Sequence, residues 1–259
     1  MTFWKKLFNK ENDTVKHTDA LAWLGWDMHN HILPGIDDGS PDLDTSIKLI
    51  QGLKELGIHR CISTPHVMQG VHNNTPATIH SAYTLLSERL QKEDIAFELN
   101  YSAEYMIDEE LDNWIQKDEL CLLPNKHMLI EMSYLSESKA LFQIIKKIQD
   151  KGYQPILAHP ERYNYYHTNF KIYQDIKMAG CMLQLNLLSI SRYYGEHVKT
   201  AAIMLIKEGL YDLLGTDMHH EKHLTAIRQV VNKYDVKDLL SSCAIKNATL
   251  FDSSRKIAI

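Results

Sequence analysis

The sequence is 259 residues long and 44% hydrophobic, which is enough for one large core. Its formal net charge is -5, from 28 Lys and Arg against 33 Asp and Glu, so composition gives no general attraction to nucleic acid or to an anionic membrane. The sequence has no apolar run as long as a membrane span, and its four cysteines form no C-x-x-C pair. We therefore expect a cytoplasmic protein without a transmembrane segment and with no nucleic-acid partner.

The N-terminal residues differ from the rest of the chain. Residues 1–21 mix Lys, Asn, Asp and His ahead of the first hydrophobic segment, so we expect an extension there and a single domain over residues 22–259. Residues 3–8 place basic residues among aromatic ones, a composition that can dock on a membrane surface or a partner. A terminal turn packed on its own domain is the more ordinary interpretation, and peripheral attachment at the inner face of a membrane stays open.

From Trp23 onward, short strand-like runs alternate with helical patterns, as in repeated βα units around a parallel sheet. The predicted strands are residues 24–29, 58–64, 96–102, 127–132, 153–158, 181–186 and 211–216. Apolar residues keep helical spacing from Leu43 to Leu56 and stop at Gly57, and Thr75-Pro76 predicts the start of another helix. The pattern favours an α/β fold, a distorted seven-stranded (β/α)7 TIM-like barrel. An open doubly wound sheet is the alternative, because periodicity does not report closure.

Metal-ligand residue types follow nearly every predicted strand. His29 and His31 lie two residues apart, so in a strand both side chains would face the same metal. Such a short pattern recurs by chance, and further ligands must converge with it. The later strands end near His66, Glu104, Glu131, His159, Asp217 and His219. Because the carboxyl ends of parallel barrel strands share one face, we expect these side chains to form one metal site.

These motifs resemble the polymerase and histidinol phosphatase (PHP) superfamily over roughly residues 24–250. The resemblance is carried by Asp27-x-His29-x-His31, the strand-end His66, His159-Pro160 and Asp217-x-His219. More closely, the segments 29–39, 63–66, 103–105 and 158–163 are similar to the capsule-type bacterial protein-tyrosine phosphatases of that superfamily, including Pro34-Gly35-Ile36-Asp37-Asp38-Gly39 and Ala158-His159-Pro160-Glu161-Arg162-Tyr163. The resemblance implies a PHP-type metallophosphoesterase barrel.

The resemblance also implies three divalent metal ions. The first would be held by His29, His31, Glu104 and Asp217. The second would be held by Glu104, as a bridge, with Glu131 and His159. The third would be held by Asp38, His66 and His219, although Asp37 could compete with Asp38 and other PHP branches place His at the strand end of Glu131. The mixed nitrogen and oxygen ligands suit manganese best by the resemblance, with iron or zinc possible.

The implied reaction is hydrolysis of phosphotyrosine by metal-activated water that attacks directly, without a phosphoenzyme. Arg162 offers a planar donor fork for phosphate oxygens, with a surface salt bridge to Glu161 or a neighbour as the structural alternative. His220 is a candidate proton donor beside the metals. None of the four cysteines is followed by Arg six positions on, so the sequence does not favour a cysteine nucleophile.

The implied substrate is protein, as the tyrosine-rich tail of a bacterial tyrosine kinase that controls capsule or exopolysaccharide synthesis. A small-molecule phosphatase of the histidinol-phosphate type and a non-catalytic phosphopeptide-binding protein are the rivals. Several tyrosines could flank an aryl substrate or simply pack in loops, namely Tyr163, Tyr165, Tyr166, Tyr193 and Tyr194.

Overall fold

The computed structural model describes residues 18–251, and its core is parallel β-sheet. The strands are β1 (Arg60–Ser63), β2 (His66–Val67), β3 (Glu98–Tyr101), β4 (Glu104–Met106), β5 (His127–Glu131), β6 (Gln154–Ala158), β7 (Met182–Asn186) and β8 (Leu213–Gly215). A six-stranded sheet has the order β2-β4-β5-β6-β7-β8, and β1 and β3 form a two-stranded sheet. Every pairing is parallel, so the carboxyl ends of the strands lie at a common edge.

Backbone hydrogen bonds join the two sheets. The Ser102 amide donates to Ser63 O at 2.8 Å, between the paired strands β1–β3 and β2–β4. The segment 27–31 bonds on both sides, because the Asp27 amide donates to Arg60 O at 3.0 Å and the His31 amide donates to Met218 O at 2.9 Å. The result is a curled parallel half-barrel sheet whose two outer edges are bridged by this segment.

The predicted strand 24–29 is wrong as a regular strand. Residues Ala22–Leu24 form a 3₁₀ helix, and Gly25 follows with φ 75°, a conformation that interrupts an extended chain. Only isolated bridges follow, from Asp27 to Cys61 and from Asn30 to Met218. The other six predicted strands are present, and each is shorter than predicted by a residue or more. Strand β5 starts at residue 127, as predicted.

Helices occupy the connections between the strands. They are α1 (Leu43–Glu55), α2 (Pro76–Lys92), α3 (Leu111–Lys117), α4 (Leu141–Asp150), α5 (Lys171–Met178), α6 (Glu196–Lys207), α7 (Glu221–Lys233), α8 (Val236–Leu239) and α9 (Asn247–Leu250). The predicted start of α2 is confirmed, since Thr75 and Thr78 exchange capping hydrogen bonds and Pro76 is the first helical residue. Helix α1 ends before Gly57, whose φ of 86° few other residues adopt.

The strands bury hydrophobic side chains on both faces, as covered parallel sheets do. One cluster includes Ile62, Leu129, Ile156 and Leu213, and the larger cluster takes the alternate strand residues and the apolar faces of the helices. No helix within residues 18–251 is long and apolar enough to cross a membrane. The aromatic and basic segment at residues 3–8 lies outside the described residues.

Candidate metal centre

The structure brings all nine predicted ligands together at the carboxyl ends of the strands. They fall into four overlapping groups, in each of which the ligand atoms lie within 4.8 Å of one another. The groups are His29, His31 and Glu104; His29, His159 and Asp217; His66, Glu104 and Glu131; and His31, Asp38, His66 and His219.

The deepest part of this centre joins two imidazoles and two carboxylates. The Nε2 atoms of His29 and His31 are 3.3 Å apart. They lie 3.2 and 3.4 Å from Oε2 of Glu104, and 3.4 and 3.3 Å from Oδ1 of Asp217. All four side chains are buried. Their positions match the set that the resemblance implies for the first metal.

The outer part of the centre contains Asp38, whose Oδ1 lies 3.5 Å from Nε2 of His66 and 3.4 Å from Nε2 of His219. Asp37 points elsewhere. It contacts Nδ1 of His31 at 2.8 Å and accepts the Gly39 amide at 2.9 Å. The geometry therefore favours Asp38 over Asp37 as a ligand, while Asp37 fixes the orientation of the His31 ring.

Glu104 links the remaining ligands. Its Oε1 lies 3.0 Å from Nε2 of His159, and its Oε2 lies 3.1 Å from Nδ1 of His66. Glu131 lies beside His66, with Oε1 2.7 Å from Nδ1, and groups with His66 and Glu104 rather than with His159. Glu104 is thus placed to bridge two metal ions. His66, however, contacts both the second implied ligand set, at Glu104 and Glu131, and the third, at Asp38.

The polar atoms of this centre fit divalent cations. Among the described residues, Nδ1 of His66, Oε2 of Glu104 and Oε1 of Glu131 are buried and form no hydrogen bond, although the His66 atom lies 3.1 and 2.7 Å from the two oxygens. Close contacts of this kind without hydrogen bonds are costly unless another group binds the atoms. Burial alone would raise the pKa of Glu104, but positive charge on His29 and His66 holds it well below its usual range. The carboxylates keep their charge only beside positive charge, a requirement that divalent cations also meet, and mixed nitrogen and oxygen donors suit manganese, iron or zinc.

Local backbone geometry is unusual at this centre. His159 and Asp217 have φ of 32° and 49°, in the left-handed region that β-carbon sterics disfavour. Two glycines leave room for the close approach of the histidines. A Cβ on Gly39 would lie 2.1 Å from His31 O, and a Cβ on Gly215 would lie 2.6 Å from Cβ of His29. The chain accepts this strain and close packing where the ligands converge.

Sequence reasoning missed the residues that hold the ligands in place. Oε1 of Gln184 lies 2.9 Å from Nδ1 of His29, and the side-chain amide of Asn186 donates to Oδ2 of Asp217 at 2.7 Å. Both belong to β7, where polar side chains interrupt a buried apolar strand, and that interruption is the signal that could have identified them. Tyr134, which follows β5, was also missed; its hydroxyl lies 3.3 Å from Nε2 of His159.

Arg162 lies inside the centre. Its NH1 donates to Oδ2 of Asp217 at 2.9 Å, and its guanidinium sits 4.5 and 4.3 Å from the ring centroids of Tyr134 and Tyr194. Of the alternatives of a surface salt bridge to Glu161 or a neighbour, the ion pair that the structure shows is with the buried Asp217 and not with Glu161. The buried Glu161 instead accepts hydrogen bonds from the Asn186 backbone amide and the Tyr211 hydroxyl, each at 3.0 Å.

A cavity of about 240 Å³ opens over the ligands. It is lined by Asp38, His66, Tyr134, Arg162, Tyr194, Asp217, His219, His220 and His223. Nδ1 of His220 accepts the His223 amide at 3.2 Å as the N-cap of α7. Burial and the charge of His219 lower the pKa of His220. Its role as a proton donor stays a prediction.

The tyrosines divide between this cavity and ordinary loop packing. Tyr163 donates to Ala158 O at 3.1 Å, Tyr165 to Ser133 O at 3.0 Å, and Tyr166 to Oε1 of Glu137 at 3.1 Å, so these three pack in the loops. Tyr194 lines the cavity. The Tyr193 ring contacts the Tyr194 ring edge to face, with the ring centroids 5.0 Å apart.

The cysteines do not have the properties of nucleophiles. Burial raises the pKa of Cys61 well above its usual range, that of Cys121 to about 11 and that of Cys181 to about 12. Burial also raises the pKa of the half-buried Cys243. Thiols with such pKa values stay protonated at neutral pH, which argues against thiolate catalysis.

Comparison with known families identifies this arrangement. A family model described as capsular polysaccharide synthesis, CpsB/CapC, matches residues 25–250. The chain belongs to the CpsB/CapC family. The resemblance seen in its motifs is thereby confirmed.

Named phosphatases of the family are similar to this chain over most of its length. The tyrosine-protein phosphatase YwqE of Bacillus subtilis is 32% identical over 197 residues, which cover 76% of this chain and 78% of YwqE. A crystal structure from the pair YwqE of Bacillus subtilis and CpsB of Streptococcus pneumoniae, described as unique metal-dependent tyrosine phosphatases, aligns with a TM-score of 0.76 and 30% identity over 87% of this chain and 94% of that one. Histidinol phosphate phosphatase from Lactococcus lactis shares the fold, with a TM-score of 0.53 and 15% identity over 81% of this chain and 93% of that one.

Proposed function

We propose that this chain is a metal-dependent protein-tyrosine phosphatase that acts in capsular or exopolysaccharide synthesis. The observation that carries the proposal is the convergence of nine candidate ligand side chains, some with buried ligand atoms that form no hydrogen bond, in a member of the CpsB/CapC family. The protein substrate proposed is the tyrosine-rich tail of a bacterial tyrosine kinase, which a cytoplasmic enzyme could reach.

We propose that the centre holds three divalent ions, with manganese preferred, in a (β/α)7 barrel domain over residues 22–259 that the segment 27–31 closes. By the resemblance, His29, His31, Glu104 and Asp217 would hold the first ion; Glu104, Glu131 and His159 the second; and Asp38, His66 and His219 the third. The converging ligand atoms group Glu131 with His66 and Glu104 rather than with His159. When bound, such ions supply Lewis acidity to the phosphoryl oxygens and activate water for attack.

The chain's own residues would bind and orient the phosphate. The Arg162 guanidinium faces the cavity beside Asp217 and can present its planar fork to two non-bridging oxygens. Tyr134 and Tyr194 both lie against that guanidinium, which restricts its rotation and shields it from water. Gln184 and Asp37 hold the imidazoles of His29 and His31 in fixed orientations. His220 lines the same cavity and is the proposed donor of a proton to the leaving phenolate, a role that requires the protonated imidazole and is lost as pH rises through its lowered pKa.

The test uses chelator-stripped protein assayed with para-nitrophenyl phosphate, a phosphotyrosyl peptide and histidinol phosphate, before and after manganese is restored, with bound metal measured alongside. We expect activity on the first two substrates to return with manganese, and the peptide to exceed histidinol phosphate by orders of magnitude in kcat/KM. The opposite preference would favour a small-molecule phosphatase. If metal-loaded protein hydrolyses none of the three substrates, the result would favour a phosphopeptide receptor.

A further inference from the structure

A second cavity, of about 420 Å³, lies beside the catalytic one, against the loop 191–195 and helices α6 and α7. Its lining includes Arg192, Tyr193, Lys199, Gln229 and Lys233, and no carboxylate is among the described residues that line it. We call it the basic groove and define it by its three cationic residues, Arg192, Lys199 and Lys233. A groove of this composition is unexpected in a chain whose net charge is -5.

Two of the three cations are available to a ligand. Arg192 is paired with Glu196 one helical turn away, which offsets part of its charge. Within residues 18–251, by contrast, no ion pair joins Lys199 or Lys233 to a carboxylate. The Lys233 ammonium lies 5.2 Å from the ring centroid of its neighbour Tyr234, and Lys199 is half-buried on α6. Among the described residues, therefore, no carboxylate offsets the positive charge of Lys199 and Lys233 in the groove.

The basic groove adjoins the catalytic cavity at Tyr193. The Tyr193 ring lines the groove and lies 5.0 and 5.2 Å from the ring centroids of Tyr194 and His223, both of which line the catalytic cavity. Consecutive residues are about 3.8 Å apart, and an extended peptide advances about 3.3 Å per residue. A polypeptide with its phosphotyrosine at Arg162 would thus bring residues roughly two to five positions away into the groove.

We propose that the basic groove binds Asp and Glu side chains that flank the phosphotyrosine in the substrate polypeptide and so selects which phosphotyrosine is hydrolysed. This inference rests on the proposed phosphatase function and adds a substrate preference to it. Opposite charge attracts the acidic flank and aligns it as the phosphotyrosine enters the cavity, while a basic flank is repelled. Because the groove is open to solvent, the preference should weaken as salt screens the charges.

The experiment compares phosphotyrosyl peptides that differ only in flanking residues, which are Asp and Glu, Asn and Gln, or Lys, on manganese-loaded full-length protein. We expect kcat/KM for the acidic peptide to exceed that for the neutral peptide by about threefold to tenfold at low salt, mainly through KM. In the double variant Lys199→Gln, Lys233→Gln, the ratio should fall to near one. Lys92→Gln, which removes one positive charge from an exposed position on α2, should retain the wild-type ratio.

Two results would overturn the groove assignment: a wild-type ratio near one at low salt, or equal ratios in the double variant and in Lys92→Gln. Failure of the phosphatase proposal is visible separately, because wild-type protein would then hydrolyse neither the neutral peptide nor para-nitrophenyl phosphate. In that case fluorescence anisotropy with the same peptides tests the groove directly, and equal affinity for acidic and neutral peptides would reject it.

Discussion

At the carboxyl ends of the strands, Glu104 and Glu131 each keep a buried oxygen without a hydrogen-bond partner, whereas at the amino end of β8 both oxygens of Asp212 are occupied. Oδ1 of Asp212 accepts the Lys246 ammonium at 2.9 Å, and Oδ2 accepts the Lys177 ammonium and the Leu183 amide. Both regions bury acidic groups in one sheet. Only at the carboxyl ends do buried carboxylate oxygens contact imidazoles without forming a hydrogen bond, an arrangement that costs stability and suits a bound cation.

The same contrast appears in the backbone. Of the described residues with positive φ other than glycine, the two that are buried are His159 and Asp217, both at the carboxyl ends. In parallel α/β barrels, the carboxyl face carries function and the amino face carries stability. Substitutions at the two ends should therefore separate activity from folding.

The largest effect is expected from Glu104→Gln. Glu104 approaches His29, His66 and His159, so loss of its charge should remove the bridge between metal sets and lower kcat/KM on the order of a thousandfold. Measurement of bound manganese and of para-nitrophenyl phosphate hydrolysis checks this. A variant that keeps wild-type metal content and rate would show that Glu104 is not a shared ligand.

A smaller loss is expected from Arg162→Lys, which keeps the charge but not the planar fork. Lysine can make a single contact to phosphate and stacks poorly between Tyr134 and Tyr194, so kcat/KM should fall on the order of a hundredfold, with metal content near normal. Arg162→Ala should fall further. Steady-state kinetics with a phosphotyrosyl peptide distinguish the two, and equal activity of Arg162→Lys and wild type would contradict phosphate binding by the fork.

The smallest effect on activity is expected from Asp212→Asn, at the other end of the sheet. Burial disfavours the ionised form of Asp212, but hydrogen bonds from Lys177 and Lys246 outweigh it and lower the pKa. The variant should lose about 1–3 kcal/mol of unfolding free energy, while kcat stays within about twofold of wild type. Urea unfolding and peptide kinetics measure both; a large loss of activity without loss of stability would break the contrast between the two ends.

The pH dependence of the Asp212 contribution has a definite sign. Because the folded pKa lies below the unfolded value of about 3.9, the stabilisation is fully present above about pH 4 and is lost as pH falls through the folded pKa. The stability difference between wild type and Asp212→Asn should therefore be constant near neutral pH and shrink in acid. A difference that grows on acidification would be inconsistent with a lowered pKa.

The sequence predicted which ligand-type side chains converge better than it predicted the strands that carry them. His66, His159 and Asp217 could be identified because a ligand type at a strand end follows from local pattern and parallel topology. The segment 24–29 was expected to be a strand, but Gly25 turns the chain and side-chain partners distant in sequence position the rest. Local pattern does not report such contacts.

The residues around the ligands were harder to predict. Gln184 lies 155 positions from His29, and Tyr134 lies 25 positions from His159. The polar interruption of β7 can mark Gln184 as unusual, but local sequence does not identify the partner in either contact. The curl of the sheet into a half-barrel likewise depends on backbone pairing between distant residues, and hydrophobic periodicity cannot report it. What was missed is therefore non-local.

The most direct test of a metal-dependent carboxyl face is the thermal unfolding and activity of wild-type and His31→Ala protein, each stripped of metal and then titrated with manganese. The account predicts that manganese raises Tm and restores hydrolysis of a phosphotyrosyl peptide in wild type, and does neither in a folded His31→Ala variant. Equal stabilisation of both proteins, or full activity of His31→Ala, would contradict it.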